Sequence, residues 1–585
     1  MIKNPGSGQL RYFYKITALL MIIFTLTGCL PAQNTADNPD FAAFTDELFR
    51  SEANSDSLTL NYTLAHPENY GITELPGGFQ PFSYEDLAAN GPALENLLAT
   101  AESYDRDSLS LKQQILQDVL CDSLQTDIQG TKFAAFSGAL GPTTGIQAQL
   151  PVLLAEFRIG DRSDLEQYFS LLMSVPDYFR SLLTLEQKKS ELGTLACRTS
   201  LEHIISQCRE FLQSGGFTVL TTTFQKKIAG ADFLSEKEKA DSLSRHEDCI
   251  RQYLTPAYQS LTDGLTKLLP LAMDNGSLSS RPEGGSYYSH LVKRITGSSL
   301  SVDELESLMK EKLDTAQDTL LAYAKKDPSL FSTCQSYVGD YPSTDSILTA
   351  LQKRMTADFP QMTDSSYEIK YVDEALEDYL SPAFYLTPPL DDSRTNVIYI
   401  NNSSRFDASS LFNTLAHEGY PGHLYQTCYM HSKNLPALRY LLDYGGYTEG
   451  WATYAEIYSY KYTGVSKDEI GILRNNMVVS LCLYGLCDIG VHARGWSREE
   501  LLSFLNGYGS WGRETADSIY DAVTDEPASY LKYTAGYLEF MRLKDKMKEK
   551  LGDSYSEKTF HTYVLNMGPA SFDILEKYIQ RYGEL

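Results

Sequence analysis

Two histidines six positions apart, with a proline and a glycine between them, constrain this chain more than any other stretch: His417-Glu418-Gly419-Tyr420-Pro421-Gly422-His423. The chain has only 9 histidines in 585 residues, so a close pair is unusual. On a regular helix, residues four apart share a face. Six steps of about 100° leave the second histidine about 120° round from the first. One straight helix therefore cannot aim both imidazoles at one point. Pro421 has no N–H to give the carbonyl of His417, and its ring clashes there. The spacing predicts a helix that stops and restarts, with two extra residues looped out so that His423 returns beside His417.

Two neutral imidazoles and a carboxylate form a usual ligand set for a catalytic Zn²⁺, one ion per chain, leaving a fourth position open for water. Glu418, directly after the first histidine, is placed to take a proton from that water. The carboxylate has to come from Tyr447-Thr448-Glu449-Gly450-Trp451-Ala452-Thr453-Tyr454-Ala455-Glu456. Glu449 and Glu456 are seven apart, so on one helix they share a face. The residues alone leave the choice between them open, and with it the plainer reading of two solvated surface glutamates. His492, in Asp488-x-Gly490-x-His492, is either a satisfied core histidine or a donor to substrate and developing oxyanion. Tyr530, Tyr533 and Tyr537 follow Pro527 in a helix-like segment. With 40 tyrosines in the chain, aromatic packing competes with any catalytic role for one of them.

The run His417-Glu418-x-x-Pro421-Gly422-His423, with Glu449-Gly450-Trp451-Ala452-x-Tyr454-Ala455-Glu456, resembles the bacterial domain of unknown function 885. Further pieces carry the same resemblance: Asn61-Tyr62-Thr63-Leu64-Ala65-His66-Pro67 with Tyr70-Gly71, and Leu150-Pro151-Val152-Leu153-Leu154-Ala155-Glu156. So do Asp488-Ile489-Gly490-Val491-His492 with Gly495-Trp496, and Tyr533-Thr534-Ala535-Gly536. That family is similar to gluzincin-type zinc metallopeptidases such as thimet oligopeptidase and angiotensin-converting enzyme. The resemblance implies that Glu449 is the third ligand. Glu456 is then left to orient a ligand histidine through its free N–H. It also implies an oxyanion donor downstream, the position that Tyr533 matches.

At the other end, Lys3, Arg11 and Lys15 precede an apolar run from Ile16 to Leu26, which closes on Leu26-Thr27-Gly28-Cys29. A basic start, a short apolar stretch and small residues describe an export signal, and the run is short for a membrane span. Leu-Thr-Gly-Cys resembles a bacterial lipobox, so residues 1–28 are expected as a lipoprotein signal, Cys29 as the lipidated residue and 29–42 as a tether. A plain signal peptide with an incidental cysteine is the simpler alternative. Removing residues 1–28 takes away three positive charges and no negative ones, moving the net charge from −26 to −29. Such acidity speaks against nucleic acid as a partner. The cysteines beyond Cys29 (121, 197, 208, 249, 334, 428, 482 and 487) show no CxxC or other ligand spacing. They read as small buried thiols.

Helical signals dominate the remainder. Leu165, Tyr168, Phe169 and Leu172 recur at helical spacing behind Ser163 and Glu166, which offer a capped start. Ser301-Val302-Asp303-Glu304 and Ser497-Arg498-Glu499-Glu500 repeat that pattern. The best strand is Asn396-Val397-Ile398-Tyr399-Ile400-Asn401, placed to align an extended peptide. The expected fold is mainly α: a helical, two-lobed, metallopeptidase-like architecture with a central cleft and a small β-sheet, residues 43–585 forming one domain. The expected function is that of a membrane-anchored, extracytoplasmic zinc hydrolase cleaving amide bonds, most readily in peptides. A peptide-binding lipoprotein without productive metal, and an amidase acting on a non-peptide or cell-wall fragment, are its rivals.

Overall fold

The computed structural model describes residues 36–584, apart from 214–215, 335–340, 342, 363–365, 373–381, 393–395 and 402–407. The signal and Cys29 lie outside the described residues. Helices dominate, and many of their starts follow capping chemistry. Helix α1 (Arg162–Leu192) is capped by Asp161, whose carboxylate accepts from the Asp164 N–H. Ser163, the expected cap, lies inside the first turn, because an aspartate two residues upstream caps equally well. Helix α2 (Val302–Lys326) begins at Ser301 with the reciprocal Ser301–Glu304 box. Ser497 and Glu500 do the same for Arg498–Asn506.

The buried side chains form two large hydrophobic cores. One is organised on α1, through Leu165, Tyr168, Phe169 and Leu172. The other joins N-terminal residues such as Phe41 and Leu120 to the C-terminal half, including Tyr420, Leu424, Trp451, Leu531 and Phe540. A three-stranded sheet has β1 (Tyr367–Tyr371), β2 (Ala383–Leu386) and β3 (Asn396–Ile400) in the order β1-β3-β2. β3 pairs parallel with β1 and antiparallel with β2, and all its residues are buried. The strand read from the sequence is thus the central one. Its main chain is paired on both sides, so it has no edge to offer a peptide and that expectation is corrected. The Tyr399 hydroxyl of β3 donates to Glu156 at 2.6 Å, which gives the Leu150–Glu156 stretch a place against the sheet.

The helices that follow the sheet include α3 (Ala408–Glu418), α4 (His423–Ser432), α5 (Gly445–Ser459), α6 (Lys467–Arg494), α7 (Arg513–Asp525) and α8 (Ser529–Leu551). By length and composition α6 is apolar enough to cross a membrane. Here it packs against α2, α7 and α8. α5 and α8 cross at bare backbone. A Cβ on Gly536 of α8 would lie 2.2 Å from the Gly446 carbonyl oxygen and 2.8 Å from Gly450 Cα. Only hydrogen fits between the two helices there.

Candidate metal centre

The chain between the two histidines does what the proline demands. α3 ends at Glu418 and α4 starts at His423. The Gly419 N–H closes on Leu415 O at 2.9 Å, and the ladder resumes with Gln426 N–H on Gly422 O at 2.9 Å. A Cβ on Gly422 would sit 1.7 Å from the His417 carbonyl oxygen, so the turn folds back onto the first histidine only because this residue is glycine. Trp451 of α5, fully buried, donates its indole N–H to Pro421 O at 3.1 Å and pins the turn.

That turn brings the imidazoles together, with ring centroids 4.9 Å apart. Nε2 of His417 and Nε2 of His423 lie 3.5 and 3.3 Å from the same atom, Oε2 of Glu449. The ligand atoms of this trio all lie within 4.8 Å of one another. Glu449 and Glu456 both lie on α5, which is buried almost throughout, so neither is a solvated surface glutamate. Glu456 Oε2 is 3.2 Å from Nδ1 of His417, the nitrogen that does not face Glu449, as expected of a carboxylate that orients a ligand ring.

The donor set fits a divalent cation. The His423 ring is 0 % exposed, yet neither of its nitrogens has a hydrogen-bond partner among the described residues. A buried polar ring left this way is costly, and a cation facing its Nε2 and the Glu449 carboxylate relieves that. Burial pushes the His417 imidazole down, but Glu449, Glu456 and the charge of Glu418 outweigh it and bring the pKa up to about 10. Burial pushes the Glu449 carboxyl up, but the charge of Lys532 and the two histidines outweigh that and hold it well below the ordinary range.

Glu418 is buried beside the trio, and its Oε2 accepts from the Tyr385 N–H of β2 at 3.0 Å. The sheet thus fixes one oxygen of the candidate base. Tyr533 of α8 is half-buried, its ring centroid 6.3 Å from that of His417. The glycine crossing explains its place. Gly536, one turn on along the same face of α8, lets the helix close on α5 and brings Tyr533 against the site.

His492 is not brought there. Its Nδ1 accepts from the Leu278 N–H at 3.2 Å, and its Nε2 donates to Val523 O at 2.7 Å. Both nitrogens are spent on backbone and burial holds the ring neutral, with its pKa at about 4. The catalytic expectation for His492 is corrected in favour of the core one. Its neighbour Asp488 is equally structural. It accepts from the Tyr288 hydroxyl at 2.5 Å and, with both oxygens, from the Ala528 N–H at 2.9 and 3.1 Å. Ala528 has φ +64° and caps the start of α8, so Asp488 holds a left-handed alanine where that helix begins. Gly490 completes the motif, since a Cβ there would run into the Trp496 ring at 2.1 Å.

Sequence reasoning missed Lys532, whose Nζ lies 3.9 Å from Glu449 Oε1; no spacing signal links the two. It also missed the Tyr385 backbone, because a main-chain donor leaves no mark in a sequence. The cysteines at the eight positions read from the sequence are free thiols, buried except for the partly exposed Cys121.

A helical protein with a largely buried His–His–Glu trio able to hold a metal is thus the class defined by fold and site. Residues 70–579 match the family described as bacterial protein of unknown function (DUF885), and the chain belongs to that family. No sequence among the curated proteins matches it. Among solved structures, it is similar to a candidate lipoprotein from Colwellia psychrerythraea, with a TM-score of 0.82 and 18% identity over 93% of this chain and 99% of that one. A candidate lipoprotein of unknown function from Shewanella oneidensis has a TM-score of 0.65 and 15% identity over the same shares. A candidate oligoendopeptidase F from Bacillus anthracis reaches a TM-score of 0.21 at 12% identity, covering 84% of this chain and 95% of that one. That last likeness is too distant to bear on the fold.

Proposed function

We propose that the protein is a zinc-dependent hydrolase of amide bonds, acting on peptides, with residues 43–585 as one catalytic unit. The convergence of His417, His423 and Glu449, with the buried His423 ring lacking a hydrogen-bond partner among the described residues and a buried glutamate held by the sheet beside it, carries the reading. His417, His423 and Glu449 would hold a zinc ion, which when bound would supply a Lewis acid to polarise the scissile carbonyl and acidify water. Glu418 takes the proton of the attacking water and passes it to the leaving amine, its second oxygen steadied by the Tyr385 N–H. Tyr533 donates its hydroxyl to the oxygen on which negative charge develops. Glu456 keeps His417 in the orientation and tautomer that leave Nε2 free for the metal.

The protein is further proposed to be anchored through lipid on Cys29, with its catalytic part outside the cytoplasm; the likeness to two candidate lipoproteins supports this. Cys29→Ser should then release it from the membrane fraction or leave it unprocessed.

The deciding experiment is a peptide-library digest read by mass spectrometry, wild type against Glu418→Gln. The glutamine keeps size but cannot accept a proton at neutral pH, and general base action is worth roughly 10² to 10⁴ in rate. Zinc content should be unchanged and cleavage nearly lost. Equal cleavage by both proteins would refute Glu418 as the base, and no cleavage by zinc-loaded wild type would favour the peptide-binding reading.

A further inference from the structure

We infer that Lys532 is a positioning residue that holds Glu449 to a single ligating oxygen, an inference resting on the metal-centre reading above. The two oxygens of Glu449 face different partners. Oε2 faces both imidazoles at 3.3 and 3.5 Å, while Oε1 faces the Lys532 ammonium at 3.9 Å. That last distance is a charge contact rather than a hydrogen bond. It acts where little water intervenes, with the side chains of Glu449 and Lys532 only 2 and 15 % exposed, so the attraction is weakly screened.

The lysine is also well placed to stay there. It precedes Tyr533 on α8, and its ammonium lies 5.0 Å from the Tyr533 ring centroid. Its stem leaves α8 against the start of α5, where a Cβ on Gly445 would be 3.7 Å from Lys532 Cβ. The crossing that seats Tyr533 therefore seats Lys532 as well.

A carboxylate can give a cation one oxygen or both. With Oε1 drawn to the ammonium, the protein offers three donor atoms and leaves a coordination position free, as a catalytic site requires. Remove the ammonium, and Oε1 is released to turn inwards and fill that position. Lys532 would thus keep the site open without touching the metal or the substrate.

Cobalt-loaded protein tests this, because the visible bands of bound Co²⁺ weaken when a further ligand joins. Lys532→Met keeps the length of the side chain without its charge, and Lys532→Arg keeps the charge. Lys532→Met should bind one equivalent of cobalt with weakened bands and hydrolyse peptide about 10- to 100-fold more slowly, the usual effect of losing a ligand's partner. Lys532→Arg should return both spectrum and rate towards wild type. A wild-type spectrum in Lys532→Met, or an arginine variant that behaves like the methionine one, overturns the inference and leaves the metal centre standing. Wild-type protein that takes up no cobalt or zinc overturns the metal-centre reading itself, and this inference with it.

Discussion

Adding one methyl group to Gly536 sets two opposed effects against each other. Alanine is the better helix former by about 1 kcal/mol, so Gly536→Ala would stabilise α8 if space allowed. It does not, for the new Cβ would lie 2.2 Å from the Gly446 carbonyl oxygen and 2.8 Å from Gly450 Cα. Both are backbone atoms and cannot rotate away. α5 and α8 must part by about 1 Å to reach ordinary contact, and overpacking of this kind costs about 1–3 kcal/mol. The clash wins, and thermal unfolding should shift down by a few degrees. The functional loss should be larger, since α5 carries Glu449 and α8 carries Lys532 and Tyr533. A displacement of about 1 Å at reacting groups lowers rates about 10²-fold. Gly285, in the helix Gly284–Thr296, is the control, because a Cβ there meets nothing within 4 Å. Gly285→Ala should be neutral or stabilising by about 0.5–1 kcal/mol. The assays are calorimetric unfolding, metal affinity and peptide turnover. Gly536→Ala with wild-type melting temperature and turnover would show that the crossing has slack and that the placement argument for Tyr533 is wrong.

Three further outcomes are expected. His423→Ala should abolish stoichiometric zinc, and Glu456→Gln should weaken zinc affinity about 10- to 100-fold without abolishing it; competition with a chromophoric chelator measures both. Tyr533→Phe should lower kcat and kcat/KM together, by roughly 10²- to 10³-fold, because the hydroxyl acts only in the transition state. The third is a pH effect on stability. Burial pushes the Asp488 carboxyl up to about 7, against the hydrogen bonds from Tyr288 and Ala528, from an ordinary value of 3.8. The folded state then binds a proton that the unfolded state has released. The contribution is fully present below about pH 4 and is lost as pH rises to about 7, by about 4 kcal/mol at most. Asp488→Asn lacks this loss, so its stability relative to wild type should rise between pH 4 and 7 in denaturant titrations. A difference that stays flat over that range would show Asp488 to be ionised throughout.

Much of the site was legible because the chemistry sits in short stretches. Pro421 and Gly422 announced a restart whatever the surrounding fold, and Glu449 and Glu456 share a face whichever of them binds metal. The serine–glutamate caps at 301 and 497 were readable because both partners of each box are local. The cap of α1 was misplaced by two residues since Asp161 and Ser163 are both good caps. What lay beyond reach depended on long-range pairing. Nothing within residues 396–401 says that strands lie on both sides of it. For His492 the choice between core and catalytic roles stayed open until the partners of its two nitrogens, Leu278 and Val523, were brought in from elsewhere. Lys532 reaches Glu449 only because bare glycines let two helices touch.

Helix α5 carries, within eight residues, the candidate ligand Glu449, the turn clamp Trp451 and Glu456, the carboxylate that faces His417. These three groups are seated on one helix, so a movement of its backbone carries all three together. A small rotation of α5 about its axis would withdraw a ligand, unlatch the loop that seats His423 and release the ring of His417 at once. Anything that turned this helix would therefore act on the whole site rather than weaken one bond of it.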